Sequence, residues 1–243
     1  MWSESRSLRA CNLLGEPLPS FDMTSFSPDE ILIGFITYIV FLFSTTCHEA
    51  AHALVAQIGG DKTAALGGQV TLNPIPHIRR SPYGMVVFPL LSFFLLHGGM
   101  IGFASAPYDP LWERRHPRRA AWMALAGPAA NFSLMLLAAL ALRLGSSLRL
   151  FSRDASTGQP GFLAVFLFVL FSLNLLLGIF NLLPAPPLDG STGIMLFMNE
   201  RQAQGYLDWI RGGNFALPGL LVSLLVFRYI FPTIQQFVTG LLL

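Results

Sequence analysis

Charge is scarce in this sequence. Only 12% of its 243 residues are Asp, Glu, Lys or Arg, against about 25% in an average soluble domain. The scarcity is also uneven. Between Ile31 and Gly60 the one charged residue is Glu49, and after Gly212 the one charged residue is Arg228. Residues 81–108, 120–142 and 155–188 hold none. A helix needs about 20 mostly apolar residues to cross a bilayer, and five stretches reach that length. So little charge excludes a water-surrounded enzyme and leaves no room for a large soluble domain. Lysine is nearly missing, since fourteen of the 15 basic residues are Arg; this reads as compositional bias. A net charge of +2 is too small to mark a nucleic-acid partner. The two cysteines are Cys11, in a polar stretch, and Cys47, in an apolar one; no structural disulfide is expected. The first 30 residues contain no apolar core, so they do not read as a cleavable signal.

What is present is a series of apolar runs separated by turn-forming residues. Residues 1–29 read as a polar tail and 30–243 as a single transmembrane domain. Ser27-Pro28-Asp29-Glu30 has the form of a helix start, with Ser at the cap and Glu three residues on. The expected helices cover about 28–58, 84–104, 119–144, 161–181, 190–203 and 215–240. "GGDKTAALGGQVTLNPIPHIRRSP" is too rich in Gly and Pro for a helix. It reads as a short re-entrant β-hairpin, turning near Gly67-Gly68, with Val70, Thr71 and Leu72 on a strand. The fold class is therefore an all-α membrane protein of about six transmembrane segments, with one broken helix and that hairpin. Arginine in the loops favours one side by only eight basic residues to six, too slight to orient the chain by the positive-inside rule.

The chemistry sits in "FSTTCHEAAHALVAQIGG", residues 43–60. His48 and His52 are four apart, so on a helix they share a face one turn apart. Both imidazoles reach one ion, and Glu49 beside them can hold a water. This is the H-E-x-x-H arrangement of zinc hydrolases. A charged group inside a membrane segment costs roughly 2.5–3.5 kcal/mol on insertion scales and is usually functional. The competing reading is a satisfied polar cluster without metal. Cys47 points about 100° away from the pair and reads as packing.

A catalytic zinc takes three protein ligands and leaves one position open. The acidic residue near the apolar runs that can supply the third is Asp189, in "NLLPAPPLDG". Three prolines forbid a regular helix there, and irregular backbone at membrane depth is tolerated beside a cavity. Asp189 as a helix cap in an ordinary interfacial loop is the alternative. Asn181 is placed to donate to a developing oxyanion, or else to cap its helix. Asn131, in "LAGPAANFSL", reads as an interhelical hydrogen-bonding amide and joins Val70, Thr71 and Leu72 as a candidate substrate-binding group. His77 could face the site, His97 reads as a core histidine and His116 as solvated.

"HEAAH" at 48–52, "GDKTAALGGQVTLNPIPHI" at 60–78, "ALAGPAANFSL" at 124–134 and "NLLPAPPLDG" at 181–190 follow one another in an order that resembles the site-2 protease family of intramembrane zinc metalloproteases. The likeness runs over residues 44–200. It implies one Zn2+ held by His48, His52 and Asp189, a water activated by Glu49, and a substrate- or oxyanion-holding role for Asn181. It also implies membrane-associated β structure near residues 63–73. The chain departs from the family's habit at Arg79, where relatives often carry an acidic residue, and at Ser105, where they often carry lysine.

The expected activity is hydrolysis of a peptide bond in or near a transmembrane segment of a membrane-protein substrate, in the cell (inner) membrane of a bacterium. The partners are that substrate and the lipid bilayer; oligomeric state is left open. The alternative is a divalent-metal binding or transport protein without hydrolysis. A third reading, an inactive relative that only captures membrane segments, is opposed by the intact Glu49.

Overall fold

The computed structural model of the protein describes residues 26–152, 158 and 160–243; most of the tail expected over 1–29 lies outside them. Helix α1, Pro28–Ile58, begins where the sequence signal places it. The Ser27 hydroxyl accepts from the Glu30 amide at 3.2 Å, and the Glu30 carboxylate accepts from the Ser27 amide at 2.7 Å. Two amides that helix geometry leaves without partners are thus satisfied reciprocally. The other end closes at Gly59-Gly60, where Gly60 takes φ +103°, a conformation that favours glycine. Trp112 Nε1 and Arg119 Nη1 each donate to the Gly59 carbonyl at 3.1 Å.

The segment expected as a β-hairpin is not one. It forms two short helices, α2 (Thr63–Leu66) and α3 (Pro74–Arg80), and no β-strand occurs among the described residues. The reason is capping. Asp61 holds the start of α2, accepting at Oδ1 from the Thr63 amide (2.9 Å) and hydroxyl. Gly68, at φ +71°, follows its end. Asn73 caps α3 by accepting from the Ile75 amide at 3.0 Å, with Pro74 next in the chain. Val70, Thr71 and Leu72 are the irregular link between two short helices, and β-forming side chains without a partner strand make no sheet.

The count of six spans also needs correction. Among the described residues four helices are long and apolar enough to cross a membrane: α1, α6 (Pro117–Ser147), α7 (Phe162–Asn181) and α10 (Ala216–Leu242). The run expected as a helix over 84–104 is shorter. It is a π-helical turn, Tyr83–Val87, continuing into α4, Phe88–Leu95. It stops where His97 (φ 45°) and Gly98 (φ 95°) turn left-handed. His97 is exposed there rather than in the core. The proline-rich interruption is as expected. α7 ends at Asn181, and the chain resumes as α8 (Asp189–Gly193), a 3-10 turn (Ile194–Phe197) and α9 (Glu200–Gly212). A short helix, α5 (Pro110–Arg115), precedes α6.

Helix α6 is the centre of the bundle, packed between α1 and α7, with α8 laid against it. Met135, Ala138 and Ala139 of α6 close on Phe171 and Leu175 of α7, and small residues allow that approach. At the other end of α6, Ala120, Ala121 and Met123 meet Ala56, Trp112, Met195 and Leu207. α10 is peripheral. It leans chiefly on α7 and leaves Leu221, Val222, Leu225 and Tyr229 exposed, the composition of a lipid-facing surface.

Candidate metal centre

His48 and His52 stand on the inner face of α1, and the centre of α6 faces them. Both are buried, as is Glu49. Their Nε2 atoms lie 2.9 Å apart. Asp189, the first residue of α8, brings Oδ2 to 3.1 Å from His48 Nε2 and Oδ1 to 3.4 Å from His52 Nε2. One ligating atom from each of the three residues falls within 4.8 Å of the others. His52 and Asp189 thus meet from distant parts of the sequence, because α1 and α8 both pack on α6.

The other ring nitrogens fix the chemistry. His52 Nδ1 sits 2.7 Å from the Met123 carbonyl, and His48 Nδ1 sits 2.6 Å from Asn131 Oδ1. A carbonyl only accepts, so each Nδ1 carries a proton, and in the neutral form of each ring that leaves a bare Nε2 lone pair turned towards the other. Two lone pairs at that separation, with a carboxylate behind them, repel unless a cation lies among them. Asp189 Oδ2 and Glu49 Oε2 are both buried acceptors without a donor, which a folded protein rarely tolerates unless something fills the need. Residue 127 of α6 completes the cradle. A Cβ built on Gly127 would lie 2.4 Å from both Nε2 atoms, so glycine alone leaves the space before them free. Two imidazoles, a carboxylate and an open side match a catalytic zinc site, and the residues fit that ion.

Other expected site residues fall outside this cluster. The amide nitrogen of Asn181 donates to the Leu177 carbonyl of its own helix at 3.0 Å. His77 is buried, but its Nε2 donates to the Thr71 carbonyl at 3.0 Å. Val70 and Leu72 are exposed and Thr71 is half-buried. His116 precedes α6, with its ring edge-on to Trp112. Sequence reasoning missed Gly127, the Met123 carbonyl and, on α7, Asn174, which bonds to Asn131. The signal for Asn174 was available: it is an amide inside an apolar run, as Asn131 is.

A buried two-histidine, one-aspartate cradle with an adjoining glutamate, set in a bundle of membrane-length helices, defines an intramembrane zinc metalloprotease. Residues 36–153 and 141–208 match the sequence model of peptidase family M50. The chain belongs to that family. It is 33% identical over 184 residues to "Putative zinc metalloprotease YwhC" of Bacillus subtilis (strain 168), covering 71% of this chain and 77% of that protein. It is 34% identical over 151 residues to "Putative zinc metalloprotease Rip2" of Mycobacterium tuberculosis (strain H37Rv), covering 61% and 52%. Rip3 of the same organism is 28% identical over 211 residues, 86% of this chain and 41% of that protein. No solved structure matches the chain significantly.

Proposed function

We propose that His48, His52 and Asp189 hold one zinc ion, and that Glu49 is the general base for hydrolysis of a peptide bond in a transmembrane segment of another protein. The observation that carries this reading is the meeting of two bare Nε2 lone pairs and the Asp189 carboxylate in front of Gly127. When bound, zinc polarises the attacked carbonyl and makes water a nucleophile near neutral pH. Glu49 takes the proton of the attacking water and later delivers it to the leaving amine. Its burial keeps that proton from bulk solvent. Asn181 spends one amide N–H on the Leu177 carbonyl, and its second amide N–H is the donor for an oxyanion. The substrate, unwound from its own helix, lies along Val70, Thr71 and Leu72, which offer an irregular segment rather than a preformed strand. Residues 30–243 act as one domain, residues 1–29 are a separate tail, and the setting is the cell (inner) membrane of a bacterium, as the relatives are bacterial.

The test pairs metal analysis with turnover. Purified protein should carry one zinc, and His48→Ala and Asp189→Ala should lose it. Glu49→Gln should keep the metal and lose cleavage of a model membrane substrate by about 10²–10⁴-fold. Equal zinc in all the preparations would overturn the ligand assignment; undiminished cleavage by Glu49→Gln would overturn the mechanism.

A further inference from the structure

Behind His48 runs a chain of amides that the proposed chemistry does not use directly. Asn131 Oδ1 accepts from His48 Nδ1 at 2.6 Å. Asn131 Nδ2 donates to Asn174 Oδ1 at 2.9 Å. Asn174 Nδ2 donates at 2.8 Å to both the Leu170 carbonyl and the Ser44 hydroxyl. Ser44, Asn131 and Asn174 are each 0% exposed, so water cannot substitute for any partner. The three belong to α1, α6 and α7, the helices that form the core.

An amide is ambiguous. Its two ends are alike in shape, and turning it over exchanges donor for acceptor. The Leu170 carbonyl is not ambiguous, because it only accepts. It therefore compels Asn174 to present its nitrogen there and its oxygen to Asn131. That oxygen compels Asn131 to present nitrogen to α7 and oxygen to His48. The oxygen in turn compels His48 to carry its proton on Nδ1, leaving Nε2 bare. A backbone carbonyl on α7 thus decides which nitrogen of a histidine on α1 is free.

We propose that Asn174 is a positioning residue for the metal: acting through Asn131, it fixes the tautomer of His48 and so sets zinc affinity. This rests on the reading of His48 as a zinc ligand. Partners that orient a ligating histidine are commonly worth 10–100-fold in metal affinity. Without Asn174 the Asn131 amide is free to turn over, offering N–H to His48 Nδ1 and driving the proton to Nε2, where it blocks the ion. His52 needs no such relay, since the Met123 carbonyl reads it directly.

The experiment measures zinc dissociation constants by chelator competition on detergent-solubilised full chain, with the absorption of the Co2+-substituted protein as a report on ligand geometry. Asn174→Leu should weaken zinc binding by about 10–100-fold and alter the Co2+ spectrum. Asp at position 131 is an acceptor whichever way it turns. In an Asn131→Asp background, adding Asn174→Leu should therefore cost nothing further. Ser44→Ala leaves the Leu170 anchor in place and should bind zinc close to wild type, even if the double variant fails to fold. An Asn174→Leu protein with wild-type affinity overturns the proposal. So does an equal loss in both backgrounds, or a Ser44→Ala loss as large as that of Asn174→Leu; each marks simple packing. Wild-type protein that takes up no zinc would instead refute the metal assignment itself.

Discussion

Among the described residues, two of the clusters that bury charge do it in opposite ways. Near α5 and α9, the Glu113 carboxylate accepts from Arg211 Nη2 at 2.7 Å and 2.6 Å, one bond to each oxygen, and the Tyr108 hydroxyl touches the same Arg211 nitrogen. Burial pushes the Glu113 carboxyl above its ordinary value, and Arg211 pulls it back only in part. Every strong acceptor there has a donor. At the α1–α6–α8 junction, buried acceptors face one another, two imidazole nitrogens and the Asp189 carboxylate, and Glu49 Oε2 is a further buried acceptor without a donor. The first cluster is closed and holds the polar end of the bundle together. The second is open and calls for a cation. The lesson is that the count of buried charges says little about function, whereas the balance of donors against acceptors says a great deal.

The sharpest way to break the contrast is Gly127→Ala. Alanine strengthens a helix relative to glycine by about 0.8–1 kcal/mol, so the fold is not weakened by propensity. Its methyl nonetheless enters the space before both Nε2 atoms. Zinc content and cleavage should both fall to background, while circular dichroism stays helical. A Gly127→Ala protein with full zinc would show that the cradle lies elsewhere.

At the closed cluster the expected effects are reversed. Arg211→Met leaves the Glu113 carboxylate buried without its donor, which costs about 1–3 kcal/mol of stability. Exposure of the Arg211 side chain to solvent places the cost towards the lower end. Zinc stoichiometry should not change. Thermal denaturation with metal analysis on the same sample separates the two quantities, and a zinc loss would merge clusters that the contrast keeps apart.

The smallest effect concerns Asp61, whose carboxylate also accepts from the Asp109 amide at 2.8 Å. Burial raises its pKa, but hydrogen bonds from Thr63 and Asp109 outweigh that and hold it below the ordinary 3.8. A depressed carboxyl stabilises the fold above its unfolded pKa, and the contribution fades as pH falls through the folded one. Asp61→Ala should therefore cost about 1 kcal/mol near neutral pH. The gap from wild type should narrow on acidification below pH 3.8. Melting curves across pH measure it, and a gap that widens in acid would reverse the sign.

Much of the candidate centre was legible because it is written in local terms. H-E-x-x-H depends on helical spacing alone, and Asp189 stood out as an acid amid prolines. Both ends of α1 followed from Ser27-Glu30 and Gly59-Gly60. What escaped is tertiary. Nothing in the spacing of Asn131 and Asn174, 43 positions apart, says that they meet. No local pattern marks Gly127 as the wall of a cradle rather than a packing residue. Val70-Thr71-Leu72 was misread as a strand because composition was weighed above the caps at Asp61 and Asn73. The apolar run over 84–104 was overextended because its length was counted without regard to Gly98 and Gly99.

The position of His52 along α1 carries a further consequence. Six residues separate it from Ile58, the last of the helix, which is about 9 Å at helical rise. From Pro28 at the far end it is 24 residues, or about 36 Å. The reactive level is thus shallow on one side and deep on the other. Under the proposed function, a peptide bond severed there would divide a crossing segment unequally: the longer piece would keep its anchorage in lipid, and the shorter, with about two turns of greasy chain, would be the one free to leave.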